Sequence, residues 1–197
     1  MGASNVCSYR QPITSVVMAT EKQLFAAIRS EILAGFVLLS ISGIAVKQAY
    51  QPTQQGAPVN PTVFMTLVSH RRIGSVSRFD TYDTEILAMV HAEKQQYETT
   101  FQINALATQN PPDTAQLTAG DIINNVAYIL QSSSAIVSLQ AQDIGILRIT
   151  DVRNPQFNLD RDQFQSSPSF DITFTHKLIV TSQIPVLQST ELQIYEV

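Results

Sequence analysis

Apolar residues recur at helical spacing in two stretches of the chain. Leu24, Ile28, Ile32 and Phe36 fall on every fourth position, with Phe25 and Leu33 beside them and Lys22, Arg29 and Ser30 opposite. This stripe predicts an amphipathic helix of about four turns lying with one face on a sheet. Thr20 and Gln23 fit a capping box at its start, and Gly35 and Gly43 bracket its end. The second stripe is Ile122, Val126, Ile129 and Leu130, opened by Thr118 with Asp121 at the third helical position. It is expected to fray through residues 132–134.

Elsewhere the period is two. Residues 95–107 place Tyr97, Thr99, Phe101, Ile103 and Ala105 on one face and Thr100, Gln102 and Asn104 on the other. Residues 170–180 alternate most regularly, with Phe170, Ile172, Phe174, His176, Leu178 and Val180 against Asp171, Thr173, Thr175 and Lys177. Residues 62–70 are apolar on both faces, as an interior strand would be. Short strands are expected at 44–50, 144–152 and 192–197. Residues 71–94 have no deciding period, and 86–90 fit either a hairpin extension or one helical turn. Loops are expected at 51–60, where Pro52 and Pro58 remove backbone donors, at 108–116 around Asn110-Pro111-Pro112-Asp113, and at 154–168. Residues 1–19 read as an N-terminal arm. Ile13, Val16, Val17 and Met18 give it an apolar set to dock on its own domain or a neighbour; a frayed terminus is the plainer alternative. The order predicts one α+β domain over 20–197, a mostly antiparallel sheet with two helices packed on one face.

Composition changes this picture in two ways. Only 14% of the 197 residues are charged, well below the usual ~25%. Gln, Ser, Thr and Asn take their place, and surfaces depleted of Lys, Glu and Asp are those that bury against other chains. The net charge of −4 is the opposite of what wrapping nucleic acid requires, although an acidic ring around passing DNA is compatible with it. Cys7 is the sole cysteine and builds no disulfide framework. Residues 32–46 are broken by Gly35, Ser40, Ser42 and Gly43 and fall short of the ~20 apolar residues of a membrane span. Residues 1–20 lack the basic start and apolar run of a signal peptide. A soluble cytoplasmic chain without a membrane partner is the expectation.

Catalytic chemistry has little to stand on. His70, His91 and His176 are far apart, and His91-Ala92-Glu93 lacks the second histidine of a zinc helix. His176 lies on the apolar face of its strand, where a satisfied core or interface histidine is expected. Ser132-Ser133-Ser134 has no elbow glycines, and no glycine-rich phosphate loop occurs. Asp160 and Asp162 flank Arg161, a set that could take a cation but neutralises itself. Arg71, Arg72 and Arg78 could touch phosphates, but Asp80, Asp83 and Glu85 follow, and an inter-subunit ion-pair strip fits as well. The expectation is a protein with no enzymatic activity, cofactor or metal.

The order of landmarks resembles the neck and tail-terminator proteins of contractile-tailed and related bacteriophages, over roughly residues 21–181. Its carriers are Leu24-Phe25-Ala26-Ala27-Ile28-Arg29, Val46-Lys47-Gln48-Ala49-Tyr50-Gln51-Pro52, the 58–61 loop with Val63-Phe64-Met65-Thr66-Leu67, and Glu98 through Ala105. The helix after Thr118, Gly145-Ile146 and Phe170-Asp171-Ile172-Thr173-Phe174 complete the set. The hairpin at 78–96 is longer than the family suggests, and the arm is additional. The resemblance implies a structural virion subunit, assembled in the host bacterial cytoplasm and forming a homo-oligomeric ring, usually a hexamer. That ring would cap the head-proximal end of the tail tube, stop its polymerisation and join tail to neck. The implied partners are the tail tube protein, neck and connector proteins and sheath, with DNA passing through the lumen without specific binding. A terminator offers a tube one matching face and no second one. The candidate contacts are then Arg71, Arg72 and Arg78, with Gln54 and Gln55 in the 51–60 loop and Asp160, Arg161 and Asp162 in the 154–168 loop. A head-completion adaptor or a tube-like protein shares this composition, and a non-viral binding module is the remaining alternative.

Overall fold

The computed structural model describes residues 14–18, 20–49, 60–85, 87–108, 113, 115–154, 156–159 and 163–184. They form three helices and eight strands, in the order β1 (Thr14–Met18), α1 (Glu21–Leu38), β2 (Ala45–Gln48), β3 (Thr62–Asp83), β4 (Ala88–Leu106), α2 (Ala119–Gln131), α3 (Ser133–Gln140), β5 (Gly145–Ile149), β6 (Gln156–Leu159), β7 (Gln163–Ser166) and β8 (Ser169–Ile184). The expected 192–197 strand and the 51–59 loop, with Gln54 and Gln55, lie outside the described residues.

The main sheet runs β1-β8-β4-β3-β2, with β5 also pairing with β8. β1 and β5 pair antiparallel to β8. Side-chain contacts set the direction of the middle strands. Asp80 meets His91 and Arg71 meets Glu98, so β3 and β4 are antiparallel; Thr99 meets His176 and Thr100 meets Thr173, so β4 and β8 are too. Only β2 runs parallel, in register with β3 from Ala45↔Thr62 to Gln48↔Met65. The α+β fold with a mostly antiparallel sheet is thus borne out. Residues 71–94 continue the two long strands to the turn around residues 84–87. The 154–168 stretch, expected as a loop, contains the β6–β7 hairpin, paired from Gln156↔Ser166 to Leu159↔Gln163.

By internal contacts the chain divides into two compact units. One comprises Ala19–Ile73 and Gln96–Lys177 and holds the helices and the main core. There Leu24, Ile28, Ile32 and Phe36 of α1 and Ile122, Val126 and Leu130 of α2 are buried with Met65, Phe101, Ile103, Ile172 and Phe174 of the sheet. Phe101 and Phe174 meet edge to face, with ring centroids 6.1 Å apart. The other unit comprises Gly74–Gln95, the chain up to Met18 and the chain from Leu178. It is a β-ribbon made of the turn-side halves of β3 and β4, with β1 and the end of β8.

Both expected helix starts carry reciprocal caps, Thr20 with Gln23 and Thr118 with Asp121. The helix ends differ from expectation. α1 runs through Gly35 to Leu38 and is closed by Ser40, which takes the left-handed conformation at φ 56° while the Ile41 amide donates to Phe36 O at 2.8 Å. Gly35 is no terminator. A Cβ built there would stand 2.3 Å from Ile129 Cγ2 and 2.6 Å from Ile129 Cγ1, so the missing side chain is what lets α2 approach α1. Nor does the second helix fray. Ser132 ends α2 and begins α3: its hydroxyl donates to Ile129 O at 2.6 Å and accepts from the Ala135 amide at 3.3 Å. The helices are therefore three. α3 is tied to α1 where Ser138 Oγ donates to Glu31 Oε1 at 2.6 Å, and α1 to β2 where Arg29 Nε donates to Val46 O at 3.1 Å.

Two substitutions test these ends by chemical denaturation. Gly35→Ala gains about 1 kcal/mol of helix propensity but overpacks a branched neighbour at a cost of about 1–3 kcal/mol. A net loss of stability is expected, smaller in an Ile129→Ala background where the obstructing methyls are gone; an unchanged or raised midpoint would remove Gly35 from the helix contact. Ser40→Gly relieves a left-handed residue that costs about 1–2 kcal/mol and gives back part of this to unfolded-chain entropy. A gain of about 0.5–1 kcal/mol is expected.

Candidate functional site

Two groups of polar residues stand out on the long strands. The first crosses β3, β4 and β8. His70 Nδ1 lies 2.8 Å from Thr99 Oγ1, and the same oxygen lies 2.9 Å from His176 Nε2. Tyr97 stacks on both rings, with centroids 4.9 Å from His70 and 5.6 Å from His176. His176 is 2% exposed, and its Nδ1 has no partner among the described residues. Burial, and secondarily the nearby His70, holds its imidazole below the usual range. The histidine is buried as the strand pattern predicts, but only one of its two nitrogens is satisfied. A cavity of about 200 Å³ beside it is lined by Gln96, Gln140, Asp143, Thr175, His176 and Lys177.

The second group lies along the β3–β4 ribbon and is a ladder of opposite charges. Arg71 Nε donates to Glu98 Oε2 at 2.7 Å, and its Nη2 donates to the same oxygen. Toward the turn, Arg78 Nε donates to Glu93 Oε1 at 2.8 Å, and His91 Nδ1 meets Asp80 Oδ1 at 2.6 Å. The hydrogen bond to Asp80, then the charges of Asp80 and Glu93, hold His91 above its ordinary 6.5. The hydrogen bond from Arg78 holds Glu93 below its ordinary 4.5. Cross-strand opposite charges of this kind fix register and leave the ribbon close to neutral.

Arg71 and Arg78, expected as contact residues, are thus engaged within the chain, and their partners are the opposite strand's glutamates rather than the acids that follow in sequence. Arg72 is exposed and has no partner among the described residues. Asp160, Arg161 and Asp162 fall outside the described residues. Among the described residues no group of three or more His, Cys, Asp or Glu could hold a metal ion. The sequence does not reveal the histidine cluster, because its members sit 29 and 77 positions apart and meet only through strand register.

Exposed apolar side chains mark two further surfaces. On the ribbon they are Val76, Phe79, Tyr82 and Leu87. On the helices they include Val37, Leu38, Tyr128 and Val137, of which Leu38 and Tyr128 line a groove of about 410 Å³ between α1, α2 and α3.

The ribbon ladder predicts a pH response. Because the folded value of His91 is raised, its contribution to ribbon stability is full below 6.5 and is lost as pH rises through the folded value. Glu93 is lowered, so its contribution is present above 4.5 and is lost as pH falls through its folded value. Asp80→Asn should lower the His91 midpoint in a side-chain NMR titration; an unmoved midpoint would place the cause elsewhere.

No curated protein matches the chain. In fold the chain is similar to the sheath/tube terminator of an extracellular contractile injection system (PVC) in its extended state, at 10% identity and a TM-score of 0.46. The match covers 90% of this chain and 64% of that one, so the chain spans less than two thirds of the terminator's length. It is also similar to a chain from the virion of a native gene transfer agent particle, at 14% identity and a TM-score of 0.30, covering 79% of this chain and 94% of that one. The model of the family described as E217 gateway protein gp29 matches residues 23–186, which include α1 from Gln23 onward, the other two described helices and every described strand but β1. The chain therefore belongs to the E217 gateway protein gp29 family.

Proposed function

We infer that the protein forms a homo-oligomeric ring, a hexamer, at the head-proximal end of the phage tail tube, where it ends tube polymerisation and joins tail to neck. Family membership over residues 23–186 is the observation that carries this reading. The surface chemistry supports it. The ribbon pairs Arg78 with Glu93 and His91 with Asp80, and it displays Val76, Phe79, Tyr82 and Leu87 to solvent. A surface of that kind loses little by burial against another copy, since its charges are already compensated and its aromatic residues gain contact. Arg72, exposed at the root of the ribbon, supplies a cation for a neighbour's carboxylate. Arg71 and Arg78 would contribute as already paired groups. The 51–60 loop, with Gln54 and Gln55, and the 154–168 segment, with Asp160, Arg161 and Asp162, are the proposed contacts to the tube protein and to neck or connector proteins, sheath included. The ring would let DNA pass through its lumen without binding it specifically. Assembly would occur in the host cytoplasm before incorporation into the virion.

Light scattering with negative-stain imaging of the same peak tests the ring. A mass about six times the 21.7 kDa subunit is expected. A twelvefold ring would move the protein to a connector role, and open filaments to a tube role. The double variant Phe79→Asp with Tyr82→Asp should remain folded, sediment as a monomer and fail to join tails. A ring of unchanged mass and activity would remove the ribbon from the interface.

A further inference from the structure

We propose that His70, Thr99 and His176 form a proton-sensing latch across β3, β4 and β8, which lets the three strands part when His176 takes up a proton. One hydroxyl serves two imidazoles, at 2.8 Å from His70 Nδ1 and 2.9 Å from His176 Nε2. Thr99 has one proton to donate and two lone pairs. In the intact relay His70 Nδ1–H donates to Thr99 Oγ1 and the Thr99 O–H donates to His176 Nε2. His176 then carries its own proton on Nδ1, which has no partner among the described residues.

A proton added at His176 Nε2 breaks that relay. Both rings then aim an N–H at the same oxygen, and Thr99 has to turn its own proton away. The cation would stand on a ring 2% exposed, its centroid 5.6 Å from that of His70. The surroundings do not compensate. On β3, Arg71 is a further cation, paired with Glu98 of β4, and Arg72 adds another. On β4, Tyr97 stacks on both rings. On β8, Lys177 pairs with Asp143 of the turn before β5, at 3.4 Å. β5 offers only Arg148, opposite Thr173, and α3 has no titratable residue. No carboxylate contacts either latch ring among the described residues, in contrast to His91, which meets both Asp80 and Glu93. Burial and the proximity of His70 hold His176 below its ordinary 6.5. The sign follows: the latch is intact above 6.5, and its contribution is lost as pH falls through the folded value of His176.

Three histidines give three side-chain NMR signals, so the full chain can be titrated directly. The expected result is a His176 held as the Nδ1–H tautomer, titrating below 6.5 and below His91, with the backbone amides around residues 70, 99 and 176 losing exchange protection across that same midpoint. His70→Gln removes the imidazole whose proximity lowers His176 and should raise the His176 midpoint. His70→Asn serves as a second variant at the same exposed position. A His176 midpoint at or above 6.5, a midpoint that neither variant moves, or amide protection that stays constant through the His176 titration would each overturn the latch.

Discussion

The helical unit is organised by the contact between α1 and α2 at Gly35. Any side chain there would stand inside the Ile129 side chain, so the two helices can sit this close only because position 35 lacks a Cβ. The contact places the apolar stripes of both helices over one sheet face, where Met65, Phe101, Ile103, Ile172 and Phe174 complete the core. It also brings α3 within reach of α1, so that Ser138 bonds Glu31, while Arg29 on the far side of α1 holds β2 against the sheet edge. Packing this tight transmits displacement rather than absorbing it, because interiors have little free volume.

Much of this was legible in the chain. The stripe Leu24-Ile28-Ile32-Phe36 and the alternation from Phe170 to His176 gave helix and strand directly, because burial on one face imposes its period on the sequence. The caps at Thr20 and Thr118 were equally plain, since each needs only residues three apart. The helix ends were not. Gly35 resembles a stop signal, but its role depends on Ile129, nearly a hundred positions away, and Ser40 closes the helix in a conformation that glycine usually takes. Residues 71–94 were unreadable for another reason. The β3 half is exposed on both faces and the β4 half is mostly part-buried on both, so no face-specific burial writes a period into the stretch. The charge ladder was hidden likewise: Arg78 is followed by Asp80 and Asp83, but it bonds Glu93, and only strand pairing decides between them.

The few charges of the described chain are used in two contrasting ways. On β3 and β4, Arg71, Arg78 and His91 are each met by an acid of the opposite strand, where water screens the pair and its main effect is register. In the centre of the sheet His70 and His176 meet through the Thr99 hydroxyl, and Tyr97 stacks on both rings. Burial makes such a relay sensitive to its proton count, while the exposed ladder is tolerant.

Ser132 has a consequence beyond capping. Residues 119–140 carry one charged side chain, Asp121, and α2 and α3 together have the length and apolarity to cross a bilayer, although neither helix does alone. Laid straight, 22 residues would make a rod of about 33 Å, comparable to the hydrocarbon thickness of a membrane. The bend of 57° at Ser132 divides that rod in two, and each piece buries one apolar face within its own protein. One serine thus turns a stretch of membrane-spanning length into two short helices, each with its own cap and its own contacts.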